Sequence, residues 1–234
     1  MLFRSRYDAG VQLARKLLHE ELKDLLGEVL FARVYCFSRD YEAEFPSVLR
    51  TDERRPAGQE LWAAAPEWVP APRAAEYDWF INRSVHQVNL IRFLFGDSVT
   101  VRHANLANRE GGFVTFETER HPVVLEVGTP KLSAWHEGVE IFFQKGRMLV
   151  EIPSPLDRSF MARVTVERGE GASEVKVFPR RMGWCFDRQA QSFVKLTRGV
   201  TASNLSSGAD SVKDYDLTER IWRLELARAA DSAR

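Results

Sequence analysis

Val139-Glu140-Ile141-Phe142-Phe143-Gln144, then Lys145-Gly146, then Met148-Leu149-Val150-Glu151-Ile152, is the stretch on which the fold turns. Val139, Ile141 and Phe143 fall on one side of an extended chain and Glu140 and Gln144 on the other, the period-two pattern of a half-buried strand. Lys145-Gly146 is a connection of hairpin length, and a hairpin forces antiparallel neighbours. Residues 162–167 repeat the pattern, with Ala162, Val164 and Val166 opposed to Arg163, Thr165 and Glu167. Further strand-length runs lie at 29–37, 99–107, 113–118, 123–127 and 174–178, rich in β-branched and aromatic residues. Glu110-Gly111-Gly112 and Gly169-Glu170-Gly171 supply turn signals between them. These features predict a meander-like antiparallel sheet.

Helical periods flank the strands. Over 8–26, Val11, Ala14, Leu18, Leu22 and Leu25 recur at three- and four-residue spacing, with Asp8 placed to cap the start and Gly27 the end. Helices are also predicted over 80–95, 187–198 and 209–229, the last with Leu217, Ile221 and Leu224 inward. The fold class is α+β: an open, mostly antiparallel sheet with helices packed on one face, and residues 1–234 form one domain. The other face is left to solvent or to another subunit. Residues 40–76 hold five of the ten prolines, with Trp62 and Trp68, and lose both periods. A long irregular insertion of this kind is expected to cover a site.

Lys+Arg and Asp+Glu each number 33, so the formal net charge is zero. That balance disfavours nucleic acid, which rewards clustered cations, and an anionic membrane surface. No apolar stretch reaches bilayer length and no signal peptide is recognisable, so a cytoplasmic protein is expected. Cys36 and Cys185 are isolated, consistent with reduced thiols. No His/Cys spacing fits a metal and no nucleophile signature occurs. A GxGxxG turn after a strand is also absent, so no cofactor is expected to bind this chain alone.

The predicted 80–95 helix is almost wholly apolar, yet Asn82, His86 and Asn89 fall at i, i+4 and i+7, with Arg83 beside them. Polar groups on a buried helix are costly unless they find partners. The residues alone leave two readings: a core histidine bonded to backbone, or a pocket wall for a hydroxylated ligand. His103, His121, His19 and His136 carry weaker signals.

The order of motifs resembles the C-terminal domain of Gfo/Idh/MocA oxidoreductases. Phe3-Arg4-Ser5-Arg6-Tyr7-Asp8, with Ala14-Arg15-Lys16-Leu17-Leu18 and Leu26-Gly27-Glu28-Val29, is similar to that domain's start. Asn82-Arg83-Ser84-Val85-His86-Gln87-Val88-Asn89, running on to Gly96, is similar to its D-x-G-x-H-x-x-D helix, and Ser207-Gly208-Ala209-Asp210 to its close. The resemblance implies a substrate and oligomerisation domain of an enzyme that uses NAD or NADP on a sugar, inositol or similar polyol. His86 would transfer a proton or orient the substrate. Asn82 and Asn89 stand where aspartates are usual, and an amide takes up no proton at neutral pH. Arg83, Lys131 and Trp135 are further candidate contacts. The family's N-terminal Rossmann domain has no counterpart here, so a truncated or split enzyme, with a separate Rossmann-domain chain as partner, is expected. A non-catalytic binding or assembly module, homo-oligomeric through the sheet face, is the alternative.

Overall fold

The computed structural model describes residues 3–37, 52–53, 65–106, 111–132, 134–169, 173–200 and 206–232. The predicted alternation becomes one eight-stranded sheet: β1 (Val29–Phe37), β2 (Thr100–Asn105), β3 (Gly112–Glu117), β4 (Pro122–Gly128), β5 (His136–Phe143), β6 (Gly146–Ile152), β7 (Arg163–Arg168) and β8 (Glu174–Phe178). Their spatial order is β2-β3-β4-β1-β5-β6-β7-β8. Neighbouring strands in the sheet pair antiparallel, with one exception. β1 enters the middle of the sheet, antiparallel to β5 but parallel to β4. The open, mostly antiparallel sheet expected from the sequence is therefore present, with this one parallel pair at its centre.

One face is apolar and covered. Ala32, Val34, Leu125, Val139, Ile141, Met148 and Val164 point inward and are buried. Against them pack α1 (Ala9–Lys16), α4 (Val85–Phe95) and α6 (Gly208–Ser232). The opposite face carries a ladder of ion pairs, Arg33–Glu126 at 2.6 Å, Arg33–Glu140 at 3.4 Å and Arg147–Glu167 at 2.6 Å. Beside the ladder, Phe31 contacts Phe142 and Tyr35 stacks on His136. Glu140 is buried, but the Arg33–Glu126 and Arg147–Glu167 pairs are partly exposed and each contributes little to stability, about 1 kcal/mol or less.

The first helix forms where expected but not with the expected stripe. Asp8 caps it, accepting from the N–H groups of Gly10 at 2.8 Å and Val11 at 3.1 Å, and Gly27 ends α2 (Leu22–Leu26) at φ 82°. Between α1 and α2 a π turn spans Leu17–Glu21. Its extra residue shifts the buried positions from Val11, Ala14 and Leu17 to Leu22 and Leu26, and leaves Leu25 42% exposed.

Gly10 packs so tightly on β7's approach that an added Cβ would overlap the Ala162 carbonyl. Gly10→Ala improves helix propensity by ~1 kcal/mol but introduces an overpacking cost of ~1–3 kcal/mol. The expected outcome is a lower urea midpoint; an unchanged or raised midpoint would show that the strand yields.

Candidate functional site

The apolar run at 80–95 is two helices. α3 (Ala74–Arg83) and α4 meet at the buried Ser84, whose N–H still bonds the Phe80 carbonyl at 2.7 Å. α3 begins six residues before the predicted start. Just upstream, Trp68 packs edge-on against Tyr77 and lies under Arg223. That part of the predicted 40–76 cover is therefore docked on α6. Residues 40–51 and 54–64 of the same segment lie outside the described residues.

Asn82 and His86, although on successive helices, line one cavity of about 110 Å³, together with Arg83, Trp135, Arg4 and Cys36. By volume it holds roughly four waters, enough for one end of a polyol and less than a whole hexose. His86 Nδ1 is buried and has no hydrogen-bond partner among the described residues. The ring meets Phe3 edge-on at 5.6 Å. Burial, followed by the positive charge of Arg4, lowers its pKa to about 4, so the ring is neutral at neutral pH. It is then able to give one hydrogen bond and accept one. Asn82 does not orient the ring: its Nδ2 donates to the Asp78 carbonyl at 2.8 Å, one turn back on its own helix.

Two candidates lie elsewhere. Asn89 is fully buried, accepts from Arg6 Nε at 2.8 Å and donates to Asp214 Oδ2 at 2.9 Å. It joins α4 to α6 and the N-terminal turn: three residues beyond His86 on the same helix it is fully buried against Arg6 and Asp214, which makes it a brace and not a cavity wall. Lys131 is exposed in the loop before β5 and does not line the cavity. His136 is the first residue of β5 and stacks on Tyr35 on the open sheet face, ring centroids 4.6 Å apart.

Beneath the cavity lies a charge that sequence reasoning missed. Glu137, with a completely buried side chain, accepts from Arg4 at 3.0 Å, Gln87 at 2.8 Å and Trp135 Nε1 at 2.9 Å. Glu137 shares strand parity with Val139, Ile141 and Phe143, so an inward carboxylate was implicit in the alternation once the strand began at His136. Cys36 sits opposite Glu137 in the β1–β5 register. Burial, then Glu137, raises its thiol pKa well above the ordinary value, which makes it a poor nucleophile.

The described residues contain no glycine-rich turn joining a strand to a helix N-terminus. The glycines with positive φ follow helices (Gly27, Gly96 and Gly199) or precede α5 (Cys185–Thr197), as Gly183 does. Such residues do not fit a dinucleotide pyrophosphate, which needs that turn. No group of three or more His, Cys, Asp or Glu side chains among them is arranged to hold a metal, and no described helix is long and apolar enough to cross a membrane.

No family model matches the sequence, and neither does any curated protein. Solved structures do match. A 3-ketoreductase from Actinomadura kijaniata, KijD10, bound to TDP-benzene and NADP, superimposes with a TM-score of 0.61 at 16% identity, over 94% of this chain and 58% of that one. The super-repressor mutant of Gal80p from Saccharomyces cerevisiae gives 0.61 at 11% identity, over 96% and 62%. The dehydrogenase MviM from Clostridium difficile gives 0.55 at 11%, over 92% and 60%. This chain spans about three-fifths of the length of the structures it matches. Its fold is that of the C-terminal domain of Gfo/Idh/MocA-type oxidoreductases.

Proposed function

We propose that this chain is the substrate-binding and oligomerisation part of an NAD(P)-dependent oxidoreductase acting on a sugar, inositol or similar polyol, with hydride chemistry supplied by a Rossmann domain. The observation that carries the reading is the neutral His86 ring, its Nδ1 without a partner among the described residues, on a cavity lined by Asn82, Arg83 and Trp135. A hydroxyl is both donor and acceptor and suits a neutral imidazole; Arg83 adds a cation beside it. A reductase holding NADP and a dehydrogenase among the matched structures support redox chemistry at such a hydroxyl. Because burial and Arg4 disfavour the imidazolium, His86 orients the substrate hydroxyl and does not store its proton. The nicotinamide, when supplied, is the hydride carrier. The open sheet face, with its ion-pair ladder and stacked Tyr35 and His136, is the surface for a second copy, and the working compartment is the cytoplasm.

Calorimetric titration of the chain with myo-inositol and with glucose tests the reading. Saturable binding of either, weakened ~10-fold in His86→Ala by loss of one hydrogen bond, is the expected result. Binding indifferent to His86 would refute it. A second reading, a non-catalytic binding or assembly module, is favoured by Asn82 being committed to the Asp78 carbonyl and not to His86. Under it, adding a nucleotide domain and NAD(H) yields no turnover of a polyol that binds.

A further inference from the structure

At the far end of α4, nine residues and so about 13 Å along the helix from His86, a second and larger cavity of about 340 Å³ opens between the π turn, the end of α4 and the β3–β4 turn. We propose that it is a binding site for a small neutral aromatic molecule carrying a hydroxyl, with His121 as its polar anchor.

Three observations carry the assignment. Both ring nitrogens of His121 are buried without any hydrogen-bond partner among the described residues, an expense that a structural histidine normally avoids. The ring is held in place: His121 N–H donates to Thr118 Oγ1 at 3.0 Å, its carbonyl accepts from Thr118 Oγ1 at 2.8 Å, and the ring meets Phe95 edge-on at 5.2 Å. The π turn, which interrupts an otherwise regular helix, carries Leu18 and His19 into the wall, and π turns recur at functional sites. His19 Nε2 bonds the Leu94 carbonyl at 2.9 Å, which ties the π turn to α4 across the cavity.

The ligand class follows from the lining. Leu18, Leu94, Phe95 and Phe143 form apolar walls. The charges nearby are matched in sign: Lys23 pairs with Glu28 at 2.8 Å, Asp97 is held by Arg92 at 2.8 Å and by Lys213, and Glu119 and Arg120 adjoin each other beside His121. No surplus of either sign recommends an ion. Burial, then Arg120, lowers the His121 pKa, so its ring offers one donor and one acceptor, the complement of a hydroxyl. The volume holds roughly ten waters, or a bicyclic aromatic.

The probe is 2-naphthol, titrated into the full chain by calorimetry and by side-chain NMR. Saturable binding that moves the His121 and Phe95 signals and leaves His86 still supports the site. His121→Phe should weaken binding ~10-fold, naphthalene should bind wild type ~10-fold more weakly than 2-naphthol, and His121→Gln should restore part of the loss. Leu18→Trp, which fills the cavity, should abolish binding while keeping the circular dichroism of the wild type. Non-saturable binding, tighter binding of 2-naphthoate, or indifference to both Leu18→Trp and His121→Phe would overturn the proposal.

Discussion

Replacing Glu137 with alanine is expected to destabilise the protein by ~3–5 kcal/mol, because it strands a buried arginine. Arg4 is 4% exposed and its guanidinium faces Glu137 and the Cys185 sulfur. Burial opposes its charge, but the Glu137 carboxylate and Cys185 more than offset that, and its pKa lies above the ordinary value. With the carboxylate gone, Arg4 keeps its charge without a counter-ion, and Gln87 and Trp135 lose their acceptor. Urea unfolding followed by tryptophan fluorescence measures the loss. Arg4→Met combined with Glu137→Leu should recover most of it, since an apolar pair of similar volume carries no desolvation penalty. A single-variant loss below ~1 kcal/mol would show that water reaches Arg4 and that the cavity floor is softer than its burial implies.

The second large effect is a pH dependence of stability. His86 titrates at about 4 in the folded chain against an ordinary 6.5. Above 6.5 the ring is neutral in both states and contributes no pH dependence. As pH falls from 6.5 towards 4, the unfolded chain takes up a proton that the folded chain refuses, so stability drops, by about 3 kcal/mol once the folded pKa is passed. His86→Gln lacks this linkage. The unfolding free energy should therefore fall more steeply between pH 7 and pH 4 in wild type than in the variant, and other titrating groups cancel in the comparison. Parallel curves would mean that the ring is solvated and that Arg4 does not reach it.

Much of this architecture was legible locally. Alternation at Val139, Ile141 and Phe143, turn residues at Lys145-Gly146, and the cap at Asp8 are nearest-neighbour properties of a chain, and each appears in the structure where residue spacing placed it. The candidate site was legible in part. His86, Asn82, Arg83 and Trp135 do converge on one cavity, whereas Asn89 and Lys131 do not. The stripe shows that Asn89 is polar on a buried helix but not what it meets, and it finds Arg6 and Asp214, partners 83 and 125 residues distant in sequence.

By itself the amino-acid order determined which segments extend, which coil and which faces are apolar, because those follow from side-chain period and backbone preference over a few residues. Only the tertiary structure decided that β1 lies between β4 and β5, that Leu17–Glu21 widens into a π turn, and that Glu137 meets Arg4 133 residues away. Those outcomes depend on loop closure and on which buried charge finds its partner, and both are energies of the assembled chain, invisible at any one position.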